Sequence, residues 1–167
     1  MINLKNVQRK GWKNKLDLKN SESVADHSYS MAFMALVISE IQGMDTKKIV
    51  KMSLLHDLVE SVVGDFTPDE ITKTKKHELE NNSMKKIIAN LPNNLSHEYQ
   101  QIWDEFQIHQ SEESVFVHEI DKLEMAFQAK TYLDKGFPKE KIQLFIDAAN
   151  KEIRNTYLKK IMANLFQ

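Results

Sequence analysis

The sequence predicts an all-α fold: a single-domain helical bundle of about six or more helices. Three observations predict it. The 167 residues include only four glycines and three prolines, where average usage of the two is roughly 12%, so turns are few and elements are long. Apolar residues recur at spacings of three and four. Ile49, Met52, Leu55, Val59, Val62 and Val63 mark one helical stripe, and Phe116, Ile120, Leu123 and Phe127 mark another. No alternating run longer than a few residues marks a strand.

The punctuating residues place the elements. Asn20-Ser21-Glu22-Ser23 reads as a cap before a helix over about 24–41, which Gly43 ends. Asp45 or Thr46 caps a second helix over about 46–63, because its side-chain oxygen accepts from the free amides of the first turn. Gly64 stops that helix by reaching the left-handed conformation without a Cβ clash. A loop follows through Asp65-Phe66-Thr67-Pro68. A polar helical stretch covers about 69–90, rich in Lys, Glu and Asn, until Pro92 breaks it. Helices over about 95–107 and 111–135 come next. Gly136-Phe137-Pro138 is a further stop, and 139–166 reads as a closing helix. No repeat or linker divides the chain, so residues 1–167 are one domain.

Composition narrows the chemistry. A chain of this length buries about 70% of its unfolded surface, enough for a core without staples. There are no cysteines, so disulfides, thiolate metal sites and cysteine nucleophiles are excluded. Any metal must be held by His, Asp or Glu. Lys plus Arg total 23, Asp plus Glu total 24, and the formal net charge is -1. That balance argues against a dedicated nucleic-acid or anionic-membrane binder. The longest apolar stretch, Met31 to Ile38, falls far short of the roughly 20 residues of a membrane span. A cytoplasmic protein is the expectation.

Four short segments carry the candidate chemistry. Glu22-Ser23-Val24-Ala25-Asp26-His27 opens the first core helix, and His27 shares a face with Met31 and Met34. Leu54-Leu55-His56-Asp57-Leu58-Val59-Glu60 places an adjacent His and Asp inside an apolar helix. Burying an ionised carboxylate there costs several kcal/mol unless it is paired or coordinates a metal. Glu60 lies one turn beyond Asp57. Gly64-Asp65 follows the same helix, and by itself reads as a plain turn. In Glu119-Ile120-Asp121-Lys122-Leu123-Glu124, Asp121 faces the apolar side, which calls for a metal or for a salt bridge to a neighbouring Lys or Arg.

Taken together, His27, His56, Asp57 and Asp121 are two imidazoles and two carboxylates on three helices. Four such ligands suit one mid-row divalent ion with positions left for water or substrate. An ion there acidifies bound water and polarises a phosphoryl oxygen, and Glu60 stands where it could orient or deprotonate that water.

The pattern His27 … His56-Asp57 … Asp121 resembles the signature of the HD superfamily of metal-dependent phosphohydrolases. The resemblance extends to Arg9-Lys10-Gly11-Trp12, to Glu22 through Ala32, to Leu55 through Glu60 with Gly64-Asp65, and to Glu119 through Met125 with Gln128-Ala129. These blocks are most similar to the HD-domain 5′-deoxynucleotidases and span about residues 5–135. The metal-binding core of the HD domain then covers approximately 20–135.

The resemblance implies hydrolysis of a 2′-deoxynucleoside 5′-monophosphate to deoxynucleoside and phosphate. It implies one divalent cation, Co²⁺ or Mn²⁺ in vitro, on His27, His56, Asp57 and Asp121. Glu60 becomes the carboxylate that positions the attacking water. Asp65 sits near the sugar or assists catalysis. Arg9 holds the phosphate, where a guanidinium pairs bidentately, and Trp12 packs against the deoxyribose, leaving no room for a 2′-hydroxyl. A homodimer is also implied. The segment Ser28-Tyr29-Ser30 departs from relatives that carry a longer or basic side chain in this turn. Lys10, Lys13 and Lys15 compete with Arg9 for the phosphate role, and segment 67–110 has no feature of the family.

Two other readings compete. One keeps the site but changes the substrate to another phosphate ester, a nucleoside triphosphate or an alarmone. The other is a non-catalytic helical signalling module. His77, His97 and His109 read as solvated, and His118 as a neighbour of the site at most. Trp103 and Phe106 read as core, the methionines as core filler, and Lys73-Thr74-Lys75-Lys76 as a solvated face.

Overall fold

The computed structural model describes residues 2–67 and 69–167. Pro68, part of the predicted loop after Gly64, lies outside the described residues. Secondary structure among these residues is helical apart from one isolated antiparallel bridge between Gln8 and Ser23. The helices are α1 (Lys10–Leu16), α2 (Val24–Gln42), α3 (Thr46–Leu55), α4 (Glu60–Val63), α5 (Lys73–Ile88), α6 (Asn93–Ile108), α7 (Glu112–Asp134), α8 (Lys139–Glu152) and α9 (Thr156–Leu165), preceded by a 3₁₀ turn, Ile2–Asn6.

Helices α2, α3 and α7 pack on one another at the centre. Their inward residues, Met31, Ala35, Ile49, Met52, Val117, Ile120 and Leu123, belong to one continuous apolar core. Helix α6 leans on α3 and α7, α5 on α6, and α8 and α9 on α7. The methionines expected as filler behave so: Met31, Met52, Met84 and Met162 are buried.

Local chemistry sets the ends of α2. The Ser23 hydroxyl accepts from the Asp26 amide, and the Asp26 carboxylate accepts from the Ser23 amide. This reciprocal capping box satisfies two otherwise orphaned donors. Gly43 closes the helix at φ 69°, a conformation that costs a side-chain residue strain. Asp45, one of the two predicted caps, accepts from the Lys48 amide and opens α3.

The expected continuous helix over 46–63 divides in two. The Ser53 carbonyl accepts from the His56 ring (Nδ1, 2.7 Å). Beyond it the backbone tightens to bonds spanning three residues, from the amides of Leu58, Glu60 and Ser61 to the carbonyls of Leu55, Asp57 and Leu58. Residues 56–59 therefore form turns between α3 and α4, and His56 and Asp57 occupy the joint. Gly64, at φ 80°, ends α4.

The expected closing helix over 139–166 also divides. Ile153 is extended and buried. The Asn155 amide donates to the buried Glu119 carboxylate (2.9 Å), and the Asn155 side chain accepts from the amides of Tyr157 and Leu158, starting α9. The polar stretch expected from 69 becomes helical at Lys73, with Thr72 as its cap. Before that, Glu70 turns back to the Thr67 amide and to Lys10. The turn Ile2–Asn6 and helix α1 were not anticipated. They are held by burial of Leu4, Trp12 and Leu16.

Candidate metal centre and active site

Two helices and one helix joint carry the predicted ligands. His27 lies on the first turn of α2 and is wholly buried. His56 and Asp57 come from the α3–α4 joint, where the tightened backbone turns both side chains to one side. Asp121 projects from the middle of α7. His27 Nε2 lies 3.3 Å from His56 Nε2, 3.7 Å from Asp57 Oδ2 and 3.2 Å from Asp121 Oδ1. His56 Nε2 lies 3.1 Å from the same Asp57 oxygen.

These atoms are lone-pair donors facing each other. His56 Nδ1 meets a carbonyl, which only accepts, so that nitrogen carries the proton and a neutral ring leaves Nε2 bare. His27 Nδ1 lies 2.5 Å from Glu124 Oε2, which fixes the same tautomer in a neutral His27. Two bare nitrogens and two carboxylate oxygens thus converge, which is favourable only around positive charge. Donors about 2.1 Å from one ion are separated by about 3.0–3.4 Å; the His27–His56, His56–Asp57 and His27–Asp121 spacings fall in that range, and His27–Asp57, at 3.7 Å, is wider. His27, His56 and Asp57 lie close enough together to hold a metal ion, and Asp121 approaches the group only through His27.

Other cations feel the same field. Burial and Arg9 lower the His27 pKa, but the hydrogen bonds to Asp121 and Glu124 outweigh them and raise it to about 9. Burial opposes ionisation of Asp57 and Asp121. His56, Arg9 and His27 nonetheless hold Asp57 below the usual carboxylate range, and Lys122, His27 and Arg9 do the same for Asp121. The two oxygens of Asp121 are divided: Oδ1 faces His27, and Oδ2 accepts from Lys122 (3.0 Å). Of the two predicted accounts of Asp121, the lysine partner is present in Lys122.

Arg9 is delivered by the Gln8–Ser23 bridge. The Arg9 amide donates to the Glu22 carbonyl and the Val24 amide to the Val7 carbonyl, tying the N-terminal segment to the start of α2. The guanidinium then lies 3.4 Å from Asp57, 3.9 Å from Asp121 and 3.9 Å from Glu22. Lys10 instead pairs with Glu70 and caps a different loop, while Lys13 and Lys15 are exposed. Of the four basic residues that compete for the phosphate, Arg9 is the one at the cluster.

Glu60 opens α4 and is 3% exposed, with Oε2 lacking any hydrogen-bond partner. Burial, then the charges of Asp57 and Asp65, push its pKa up. Asp65 accepts from the Lys10 amide (2.7 Å), pinning the loop after α4 to the start of α1. Trp12 is 1% exposed. Its indole N–H donates to Glu22 Oε1 (3.0 Å), and its ring stacks on Phe145 at 3.9 Å and tilts against Tyr132 at 5.1 Å.

Sequence reasoning assigned no role to Glu124, Glu22 or Phe145. The signal for Glu124 was present: a carboxylate one turn from Asp121 on a buried face. His118 donates to the Phe106 carbonyl and is stacked between Phe106 and His109, without touching a ligand. His77, His97 and His109 are exposed, as expected. Trp103 is buried as core, its N–H bonded to Asn81.

A helical bundle that gathers His, His-Asp and Asp around one cation position is the architecture of a metal-dependent phosphohydrolase. The family model described as "HD domain" matches residues 1–162, and the chain belongs to that family. Within it, the chain groups with proteins named 5′-deoxynucleotidase. It is 35% identical to 5′-deoxynucleotidase HDDC2 of Homo sapiens, across 97% of this chain and 79% of the relative. It is 37% identical to the Dictyostelium discoideum protein of that name, across 97% and 90%. Among solved structures, a conserved hypothetical protein from Pyrococcus furiosus superposes with a TM-score of 0.79 at 28% identity, covering 98% of this chain and 93% of that one.

Proposed function

We propose that this chain hydrolyses 2′-deoxynucleoside 5′-monophosphates to deoxynucleoside and phosphate. The observation that carries the reading is Arg9, set against Asp57 and Asp121 at the cation position, which gives one small site both a metal and a phosphate-binding guanidinium. Family membership and the names of the relatives support the same substrate class.

His27, His56, Asp57 and Asp121 hold one divalent cation, Mn²⁺ or Co²⁺ in vitro. When bound, such an ion polarises the phosphoryl oxygens and acidifies water. Arg9 orients the phosphate through its N–H groups. Glu60, whose buried Oε2 has no hydrogen-bond partner, takes a proton from the attacking water when it is ionised. Asp65 assists beside the sugar or in proton transfer, and Trp12 shapes the sugar side of the cleft. A near-neutral chain and a small cleft favour a free nucleotide over a polymer.

We assign the enzyme to the cytoplasm, and no helix among the described residues is long and apolar enough to cross a membrane. We also propose a homodimer. Helix α2 exposes Tyr29, Phe33, Leu36, Val37 and Ile41 at successive turns on its outer side, with Phe33 58% exposed, an apolar stripe of the kind that marks an interface. Sedimentation equilibrium tests this: Phe33→Glu shifts a dimer towards monomer, and a wild-type monomer ends the proposal.

The deciding experiment measures phosphate release from paired 5′-deoxynucleotides and ribonucleotides, with 3′-monophosphates included. Each is assayed without metal and with Mn²⁺, Co²⁺ or Mg²⁺, and Asp57→Ala is the blank. Metal-dependent release confined to 5′-deoxynucleotides is expected. Equal release from all esters removes the specificity, and a blank matching the wild type removes the activity.

A further inference from the structure

Beside Arg9 lies a cavity of about 160 Å³, lined by Arg9, Gly11, Trp12, Asp65, Phe66, Thr67, Met125 and Phe145. An engineered apolar cavity of about 150 Å³ holds one benzene, so this cavity has room for one ring. Arg9, which also lies against Asp57 and Asp121, marks the end nearest the cation position. The ring nearest a phosphate held there is the furanose, not the base.

The walls around that ring are unequal. Trp12 is 1% exposed and spends its only polar atom on Glu22. It offers the cavity almost no surface. Phe145 lies across Trp12, stacked at 3.9 Å with 30° between the rings, and is only partly buried. With Met125 and Phe66 it forms the apolar part of the lining, while Arg9, Asp65 and Thr67 form the polar part.

We infer that Phe145 is the specificity-determining residue that meets the sugar, and that Trp12 is a positioning residue acting through it. The inference rests on the nucleotidase reading above and names how that site tells deoxyribose from ribose. A 2′-hydroxyl placed against Phe145 loses water and gains no partner. An apolar pocket rejects a ligand carrying one extra hydroxyl by about 100-fold. The Glu22–Trp12 bond fixes the indole, and the indole fixes the tilt of Phe145.

The test compares wild type, Phe145→Ala, Phe145→Leu, Trp12→Phe and Leu144→Ala, the last an exposed neighbour on α8. Each is assayed on 5′-deoxynucleotide and ribonucleotide pairs and on 2-deoxyribose 5-phosphate against ribose 5-phosphate. Phe145→Ala is expected to cut the deoxy preference in kcat/KM at least about 10-fold, through KM. Phe145→Leu restores most of it, Trp12→Phe loses less than Phe145→Ala, and Leu144→Ala changes nothing. An unchanged preference in Phe145→Ala overturns the inference and leaves the nucleotidase standing. So does a wild-type preference seen with nucleotides and absent with the base-free sugar phosphates.

Binding is read separately. In Trp103→Phe, Trp12 is the only indole, and deoxyadenosine is titrated against its emission. A change that disappears on adding Phe145→Ala supports the wall even where no nucleotide is hydrolysed, the result that sinks the proposed function alone. No change in Trp103→Phe overturns the inference.

Discussion

Glu124 closes on the side of His27 opposite Asp121. Its Oε2 lies 2.5 Å from Nδ1 while Asp121 Oδ1 lies 3.2 Å from Nε2, so two carboxylates one turn apart on α7 grip one imidazole edge to edge. The pair orients the ring and raises its basicity, as outer carboxylates do for ligating histidines. Glu124→Ala is expected to weaken Mn²⁺ binding about 10-fold to 100-fold. Glu124→Gln, which still accepts from Nδ1–H, loses less. Calorimetric titration of the two variants checks both, and equal affinity in Glu124→Ala and wild type removes Glu124 from the site.

Holding the ion and moving the proton fall to different residues. Asp57→Ala and His56→Ala are expected to lose metal content, measured by elemental analysis after purification, and all turnover. Glu60→Ala is expected to keep the metal and lose turnover by about 10²-fold to 10⁴-fold. Full activity in Glu60→Ala transfers the water-activating role elsewhere.

The capping box at α2 stabilises the helix that presents His27. Ser23→Ala removes the acceptor for the Asp26 amide and is expected to cost about 1 kcal/mol. For a chain of this size that lowers Tm by roughly 2–4 °C. Scanning calorimetry reads the shift, and an unchanged Tm means the cap contributes nothing.

Acid stability carries a signature of His118. Burial holds its pKa at about 4, below the ordinary 6.5. The unfolded chain takes up this proton below about 6.5 and the folded protein only near 4. The contribution is therefore complete above pH 6.5 and is lost as pH falls through that window. His118→Phe keeps the stack with Phe106 and His109 but gives up the bond to the Phe106 carbonyl, costing about 1 kcal/mol at pH 7. Urea midpoints at pH 7 and 4.5 should show that deficit shrinking in acid. A constant difference rejects the assignment.

Much of this arrangement is legible in the sequence because it is local. Periodicity and caps place α2, α6 and α7 to within a residue or two, and buried-face logic singles out His27, His56, Asp57 and Asp121. What escapes depends on distant partners. The break before α9 exists because Glu119, on another helix, accepts from the Asn155 amide. The joint after α3 follows from one ring donating to one carbonyl, which leaves the apolar stripe untouched. Glu124 has no assigned role until α2 brings His27 against it, and Phe145 none until Trp12 is seen behind it.

The cluster draws on residues 9, 27, 57 and 121, and the Gln8–Ser23 bridge ties the first of these to the second. No shorter piece of chain holds the set, so cation capture reports completed tertiary assembly. An ion bound by the folded chain alone adds about 2.7 kcal/mol of stability at 100 times its Kd. Added divalent metal is then expected to raise resistance to heat and proteases as well as turnover, and a melting temperature unchanged by saturating Mn²⁺ rejects that coupling.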